Sequence, residues 1–271
     1  MSDLFMGIDA GSTTTKVVIV EDDRVLAREI AATGANCRQT ARGLFEKALA
    51  SCGRAEGDVA GVVSTGYGRR LVDFGGETVS EITCNATGAV HVALARGKAS
   101  QWHPHVRTIV DIGGQDSKVI SLDEAGRVVD FAMNDKCAAG TGRFLEVMSR
   151  ILEVDLDQLG RIALGSKEPL PITSLCTVFA ESEVVSLVSQ GKPVPDIVAG
   201  IHEATAARVG ALVRRVGLRT PVFFDGGPAL NVGMTRALEK NLGVELIVPE
   251  HPQFVTATGA AVIARDRRRP A

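Results

Sequence analysis

The chain contains no CxxC pair, no run of 18 uninterrupted apolar residues and no large excess of either charge. Each absence closes off a class of function. The five cysteines (Cys37, Cys52, Cys84, Cys137 and Cys176) are odd in number and lack paired spacing. That argues against a disulfide framework and for free thiols or metal ligands in a reducing compartment. Without a long apolar run, no transmembrane helix is expected. The opening MSDLFMGIDAG leads directly into a strand, with neither a basic n-region nor a long apolar h-region. No signal peptide is therefore expected, and the expected location is cytoplasmic. A formal net charge of −2 gives no electrostatic reason for nucleic acid or a membrane surface as the main partner. The basic RDRRRP at 265–270 reads as a solvated tail. Neither GxxxxGK[ST] opening a helix nor GxGxxG after a strand occurs, so the common P-loop and dinucleotide fingerprints are also absent.

What is present is an ordinary soluble composition, 45% hydrophobic and 23% charged, over 271 residues. That length suits two domains of roughly 100–150 residues each. Strands are expected at 4–8, 16–21 and 24–33, then a helix at 40–51, a strand at 59–66 and a helix over about 83–95. GKASQWHPH (97–105) reads as the linker. The pattern then restarts. Strands at 107–114, 117–123 and 127–134 precede helices at about 142–152, 181–190 and 194–217. A strand at 221–227, a helix at 230–241, a strand at 244–249 and a helix at 256–267 complete the chain. The expected fold class is α/β, with two related lobes at 1–103 and 104–255 and the C-terminal helix (256–271) packing back on the first. Two such halves suggest a ligand held in the cleft between them.

The halves share an aspartate–glycine loop at the same place. In DAGSTTTK (9–16), Gly11 allows close backbone approach, and the amides of Gly11, Ser12, Thr13 and Thr14 suit an anion nest. Asp9 is placed to hold Mg²⁺ through its waters, and Lys16 to face phosphate. In DIGGQDSK (111–118), Asp111 repeats the metal role and Gly113 and Gly114 the backbone approach, while Gln115 and Asp116 can orient or deprotonate a water. Taken alone, the first loop is equally an ordinary Gly-Ser turn. A third element, DGGPALN (225–231), offers Gly226 and Gly227 as a flat surface for a purine and ribose, with Asn231 as polar partner.

These three motifs, in this order, resemble the actin, sugar-kinase and heat-shock-chaperone ATPase superfamily, in which they form the two phosphate elements and the adenosine element. AAGTGRF (138–144) and TGAAVIA (258–264) resemble its two connecting helices. The resemblance implies a duplicated ribonuclease H-like fold that binds ATP or ADP with Mg²⁺. It also brings Gly140 into the nucleotide-binding set.

Cys137 and Cys176 each precede an expected helix, whose N-terminal amides and partial positive charge favour a thiolate. A lone cysteine is more often a small buried hydrophobe, and Cys37, Cys52 and Cys84 are read that way. Two thiolates per chain cannot complete a four-cysteine [4Fe–4S] site, but a symmetric dimer supplies two plus two. MNDKCAAGTGRFLE (133–146) and SLCTVFAESEV (174–184) closely resemble the ATP-dependent activators of 2-hydroxyacyl-CoA dehydratases. They are also similar to the ATPase subunits of benzoyl-CoA reductase and to reductases of double-cubane cluster proteins. The resemblance implies a homodimer sharing one [4Fe–4S] cluster through Cys137 and Cys176. It further implies a ferredoxin or flavodoxin as electron donor, and an iron–sulfur acyl-CoA dehydratase or reductase as acceptor. Two other readings of the fold stay open here. One is a small-molecule kinase, such as an amino-sugar kinase, without iron; the other is an ATP-gated structural or chaperone module.

Overall fold

The computed structural model describes residues 3–74, 76–97, 105–173 and 176–268, the side chains of 96 and 97 excepted. Most of the expected linker, 98–104, lies outside the described residues. The chain divides into two compact units. The first comprises 1–106, 122–128 and 253–271; the second comprises 107–121 and 129–252.

The first unit is built on a five-stranded sheet in the order β3-β2-β1-β4-β5. Its strands are β1 (Leu4–Ala10), β2 (Thr14–Glu21), β3 (Arg24–Ala32), β4 (Val59–Thr65) and the two-residue β5 (Glu77–Thr78). β1 to β3 form an antiparallel meander, whereas β4 lies parallel to β1. The period-2 alternation of β1 separates two cores. Leu4, Met6, Ile8 and Ala10 pack with Ala41, Leu44, Phe45 and Ala48 of α1 (Cys37–Ser51). Phe5 points the other way, with Val18, Val63 and the alanines of α8 (Val255–Arg268). Gly7 shares that second face, and a β-carbon there would lie 2.0 Å from Ala257 O. α8 therefore rests directly on the backbone of β1. Beside it, α2 (Glu81–Gly97) meets α8 equally closely through Gly88 and Gly259.

The second unit repeats the sheet in the order β10-β9-β6-β7-β8. β6 (Thr108–Ile112) and β7 (Ser117–Leu122) are antiparallel and β9 (Val222–Gly226) is parallel to β6; β8 (Val128–Asn134) and β10 (Leu246–Ile247) form the edges. Val110, Ile112, Val119 and Phe224 pack against α6 (Val194–Val216) and α7 (Val232–Leu242). A second core, around Phe144, Leu145, Met148, Val184 and Ile197, joins α3 (Gly142–Ile151), α4 (Leu159–Leu164), α5 (Thr177–Ser189) and α6. The expected elements are present with shifted ends. α4 was not expected, because six residues beginning Leu-Gly carry too little periodicity to show.

Candidate functional site: two aspartate–lysine loops and two exposed thiols

In the first unit, β1 and β2 are joined by Gly11–Thr13, and their register sets Asp9 opposite Lys16. Lys16 Nζ lies 3.0 Å from Asp9 Oδ2. Asp9 is 4% exposed, and its Oδ1 has no hydrogen-bond partner among the described residues. A buried carboxylate oxygen without a donor is costly in a folded chain, and a cation or its water would satisfy it. The loop is held from the residue after β3, where Thr33 Oγ1 donates to Gly11 O at 2.7 Å and Thr33 N–H donates to Thr13 O at 2.9 Å. The turn after β4 closes over the same aspartate. Gly66 has φ +84°, and a β-carbon there would sit 2.7 Å from Asp9 Oδ1.

The second unit repeats the device. β6 and β7 set Asp111 opposite Lys118. Lys118 Nζ lies 2.8 Å from Asp116 Oδ1 and 3.5 Å from Asp111 Oδ2. All three side chains are buried. Gly113 N–H donates to Asp116 O at 2.9 Å, closing the turn. The loop carbonyls of Gly113 and Gly114 accept 2.8 Å bonds from the N–H groups of Gly142 and Arg143, the first residues of α3. β9 delivers Asp225 and Gly226 alongside Asp111 and Ile112 in parallel register. Gly226, at φ +86°, has no room for a side chain, since a β-carbon would lie 2.1 Å from Ile112 O.

The five cysteines fall into two groups. Cys37 and Cys84 are buried and Cys52 is partly so, whereas Cys137 and Cys176 are exposed. Burial pushes the Cys84 thiol up to about 12 and raises that of Cys37 as well, which keeps both as thiols. Cys137 sits in a loop tied by Asn134, whose Nδ2 donates to Cys137 O at 2.8 Å and whose Oδ1 accepts from Cys137 N–H at 3.2 Å. Cys176 is the N-cap residue of α5, without a side-chain cap bond.

Residues 6–264 match the model of the BadF/BadG/BcrA/BcrD ATPase family. The chain belongs to that family. Its class is accordingly that of an ATPase, and the resemblance read from the motifs holds. The chain is 44% identical to the solved activator of the 2-hydroxyisocaproyl-CoA dehydratase from Clostridium difficile with bound ADPNP. The TM-score is 0.90, over 97% of this chain and 95% of that one. It is 41% identical to the Acidaminococcus fermentans (R)-2-hydroxyglutaryl-CoA dehydratase component A, with a TM-score of 0.91 over 98% and 99% of the two chains. A benzoyl-CoA reductase subunit of Thauera aromatica is 31% identical over 94% of this chain and 91% of its own. A ROK family glucokinase from Streptomyces griseus, at 14% identity and TM-score 0.57 (97% of this chain, 99% of that one), shares the fold alone. The α/β fold is thus the actin-like ATPase and sugar-kinase type.

Within this family member, several expected details change. Cys137 does not sit at a helix start. α3 begins at Gly142 with Thr141 as its N-cap, and its first amides are taken by the carbonyls of Gly113 and Gly114. The helix after Cys176 begins at Thr177, not near residue 181, because Thr, Val and Phe continue the turn that the sequence pattern left open. Asn231, expected as a partner for a nucleoside, has its side chain engaged within the fold. Its Oδ1 accepts from Met234 N–H as the cap of α7, and its Nδ2 lies 3.1 Å from His202 Nε2. Gly140 is buried at φ +97°, against Arg208. Gln115 is exposed at the tip of the second loop, and Gly227 opens a short 3-10 turn after β9.

Lys118, Asp225, Thr33 and Gly66 were not anticipated. For Lys118 a signal existed, since DAGSTTTK and DIGGQDSK each place a lysine seven residues after the aspartate. For Thr33 and Gly66 none did, because strand pairing alone brings them to the loop.

Proposed function

We propose that this chain is an ATP-dependent activator that delivers low-potential electrons to an iron–sulfur acyl-CoA dehydratase or a related partner enzyme. Its ATPase chemistry rests on the two loops. Asp9 and Asp111 serve Mg²⁺; Lys16 and the backbone of Gly11, Ser12, Thr13, Thr14, Gly113 and Gly114 serve the phosphates. Gln115 and Asp116 place the attacking water. Gly226 and Gly227 leave the flat surface a nucleoside needs, and Asn231 acts by fixing the start of α7 beside them. Gly140 supports this arrangement through the turn before α3.

The observation that carries the electron-transfer reading is the pair of exposed thiols on the second unit, in a chain whose other cysteines are buried or partly buried. Among the described residues no group of three or more His, Cys, Asp or Glu side chains suits a metal. The donor set therefore fits a four-thiolate cluster only as two plus two, from Cys137 and Cys176 of two copies. When bound, such a cluster supplies a one-electron carrier. The start of α5 supports the two-copy arrangement, because Val178 and Phe179, two and three residues after Cys176, are 65% and 69% exposed. The link from nucleotide to thiol runs within one unit, since the second loop holds the N-terminus of α3 and Cys137 lies five residues before that helix. A ferredoxin or flavodoxin suits the donor role.

The test is iron and acid-labile sulfide per chain in protein purified without oxygen, with Cys137→Ser and Cys176→Ser beside wild type. About two irons per chain, lost in both variants, are expected for one shared [4Fe–4S] site. An iron-free wild type that still hydrolyses ATP would sink the electron-transfer reading and return the iron-free kinase reading. The mass of the native complex separates a homodimeric activator from an ATPase subunit paired with a similar chain, as in the benzoyl-CoA reductase reading.

A further inference from the structure

The two loops are twins in register but not in the placement of their lysines. Lys16 keeps 16% of its side chain exposed and pairs with Asp9. Its Nζ lies 3.6 Å from where a β-carbon on Gly11 would stand. Lys118 keeps only 2% and lies beneath its loop, between Asp116 and Asp111. Its Nζ is inaccessible to solvent. A buried lysine is tolerated where carboxylates compensate it, and removing one partner of such a group is far more damaging than never having had it. From that position the ammonium of Lys118 is not presented to the solvent side of the loop. What it does reach is Asp116, whose Oδ1 would lie 2.5 Å from a β-carbon on Gly113 and whose carbonyl accepts from Gly113 N–H. The carbonyls of Gly113 and Gly114 in turn receive the first amides of α3.

We propose that Lys118 is a positioning residue of the ATPase site, holding Asp116 and through it the backbone of 113–116 in the conformation that serves nucleotide and water. Duplication has left one lysine of the pair to meet phosphate and has turned the other into an internal brace. The proposal rests on the ATPase reading and deepens it for the second loop. A brace predicts a distinctive pattern of coupling. Lys118 acts chiefly through Asp116, at 2.8 Å against 3.5 Å for Asp111, so most of the effect of its loss disappears once Asp116 has lost its charge.

The experiment is steady-state Mg²⁺-dependent ATP hydrolysis by the full chain as wild type, Lys118→Met, Lys118→Arg, Asp116→Asn and the double variant Lys118→Met/Asp116→Asn, with thermal melts of each. Lys118→Met is expected to lose about 10²-fold in kcat, the scale of a misplaced reacting group. Lys118→Arg, which keeps the cation, should recover most of that loss. The double variant should be little slower than Asp116→Asn alone. If Lys118→Met does not fold, the double variant, which removes opposite charges together, still decides by the same comparison. Losses that multiply in the double variant would show Lys118 acting directly and overturn the proposal. So would Lys118→Met hydrolysing ATP within about threefold of wild type. A wild type without ATPase activity would remove the underlying reading and the proposal together, an outcome distinct from either of those.

Discussion

Asp9 and Lys16, and again Asp111 and Lys118, face each other across the first antiparallel turn of each sheet. At residue scale the two loops and their aspartates and glycines were legible as a repeated turn between paired strands, because the same aspartate–glycine pattern recurs at the same place in each half. Which lysine is exposed was not legible, since both sequences place it seven residues after the aspartate. Burial also sets the behaviour of His202, which is 1% exposed and held down to about 4. Asn231 Oδ1 is fixed by the amide of Met234, so its Nδ2 faces His202 Nε2 and the ring proton resides on Nδ1. The unfolded chain takes up a proton near pH 6.5 and the folded one only near 4. Stability from this group is therefore full above the unfolded value and falls as pH drops between them, by up to about 1.4 kcal/mol per pH unit. Melting temperature should decline over that window in wild type and decline less in His202→Gln. Equal slopes would show that the acid sensitivity comes from elsewhere.

Elements were legible where the periodicity was long and illegible at their ends. α1 and α8 were placed within a few residues, whereas the start of α5 was missed because Cys-Thr-Val-Phe carries no charged or capping signal. The start of α3 was placed correctly, yet its use was not foreseen, since only tertiary contact shows its amides donating to the second loop. Helix glycines separate local propensity from packing in the same way. Gly43 in α1 has nothing within 4 Å of an added β-carbon, whereas at Gly259 that carbon would stand 1.8 Å from Cys84 O. Gly→Ala gains up to about 1 kcal/mol from helix propensity. At Gly259 the backbone contact outweighs that gain, since overpacking a rigid helix pair costs about 1–3 kcal/mol or more. In urea melts Gly43→Ala should be stabilised and Gly259→Ala destabilised. The same sign for both would refute the close packing of α2 on α8.

For the whole molecule, the α/β class and the internal duplication were readable because each sheet announces itself as three strands around an aspartate–glycine loop. The surface that a second copy would cover was not. One exposed face of α5, made of Val178, Phe179, Ser182, Val185, Ser186 and Ser189, carries no charged side chain, and the exposed Glu181 stands to its side. Phe179→Glu should lower the mass seen by sedimentation toward one chain and reduce retained iron, although both cysteines remain. A dimer unchanged in mass and iron would place the contact elsewhere. No helix among the described residues is long and apolar enough to cross a membrane.

The seating of α8 on Gly7 has a consequence in time. The first unit begins with β1, yet this central strand is covered on one face only when α8 arrives. The second unit, 107–121 with 129–252, is synthesised in between. At about 5–20 residues per second, β1 waits roughly 10–50 s on the ribosome for its covering helix. The unit whose strands are made first is thus the last to be completed.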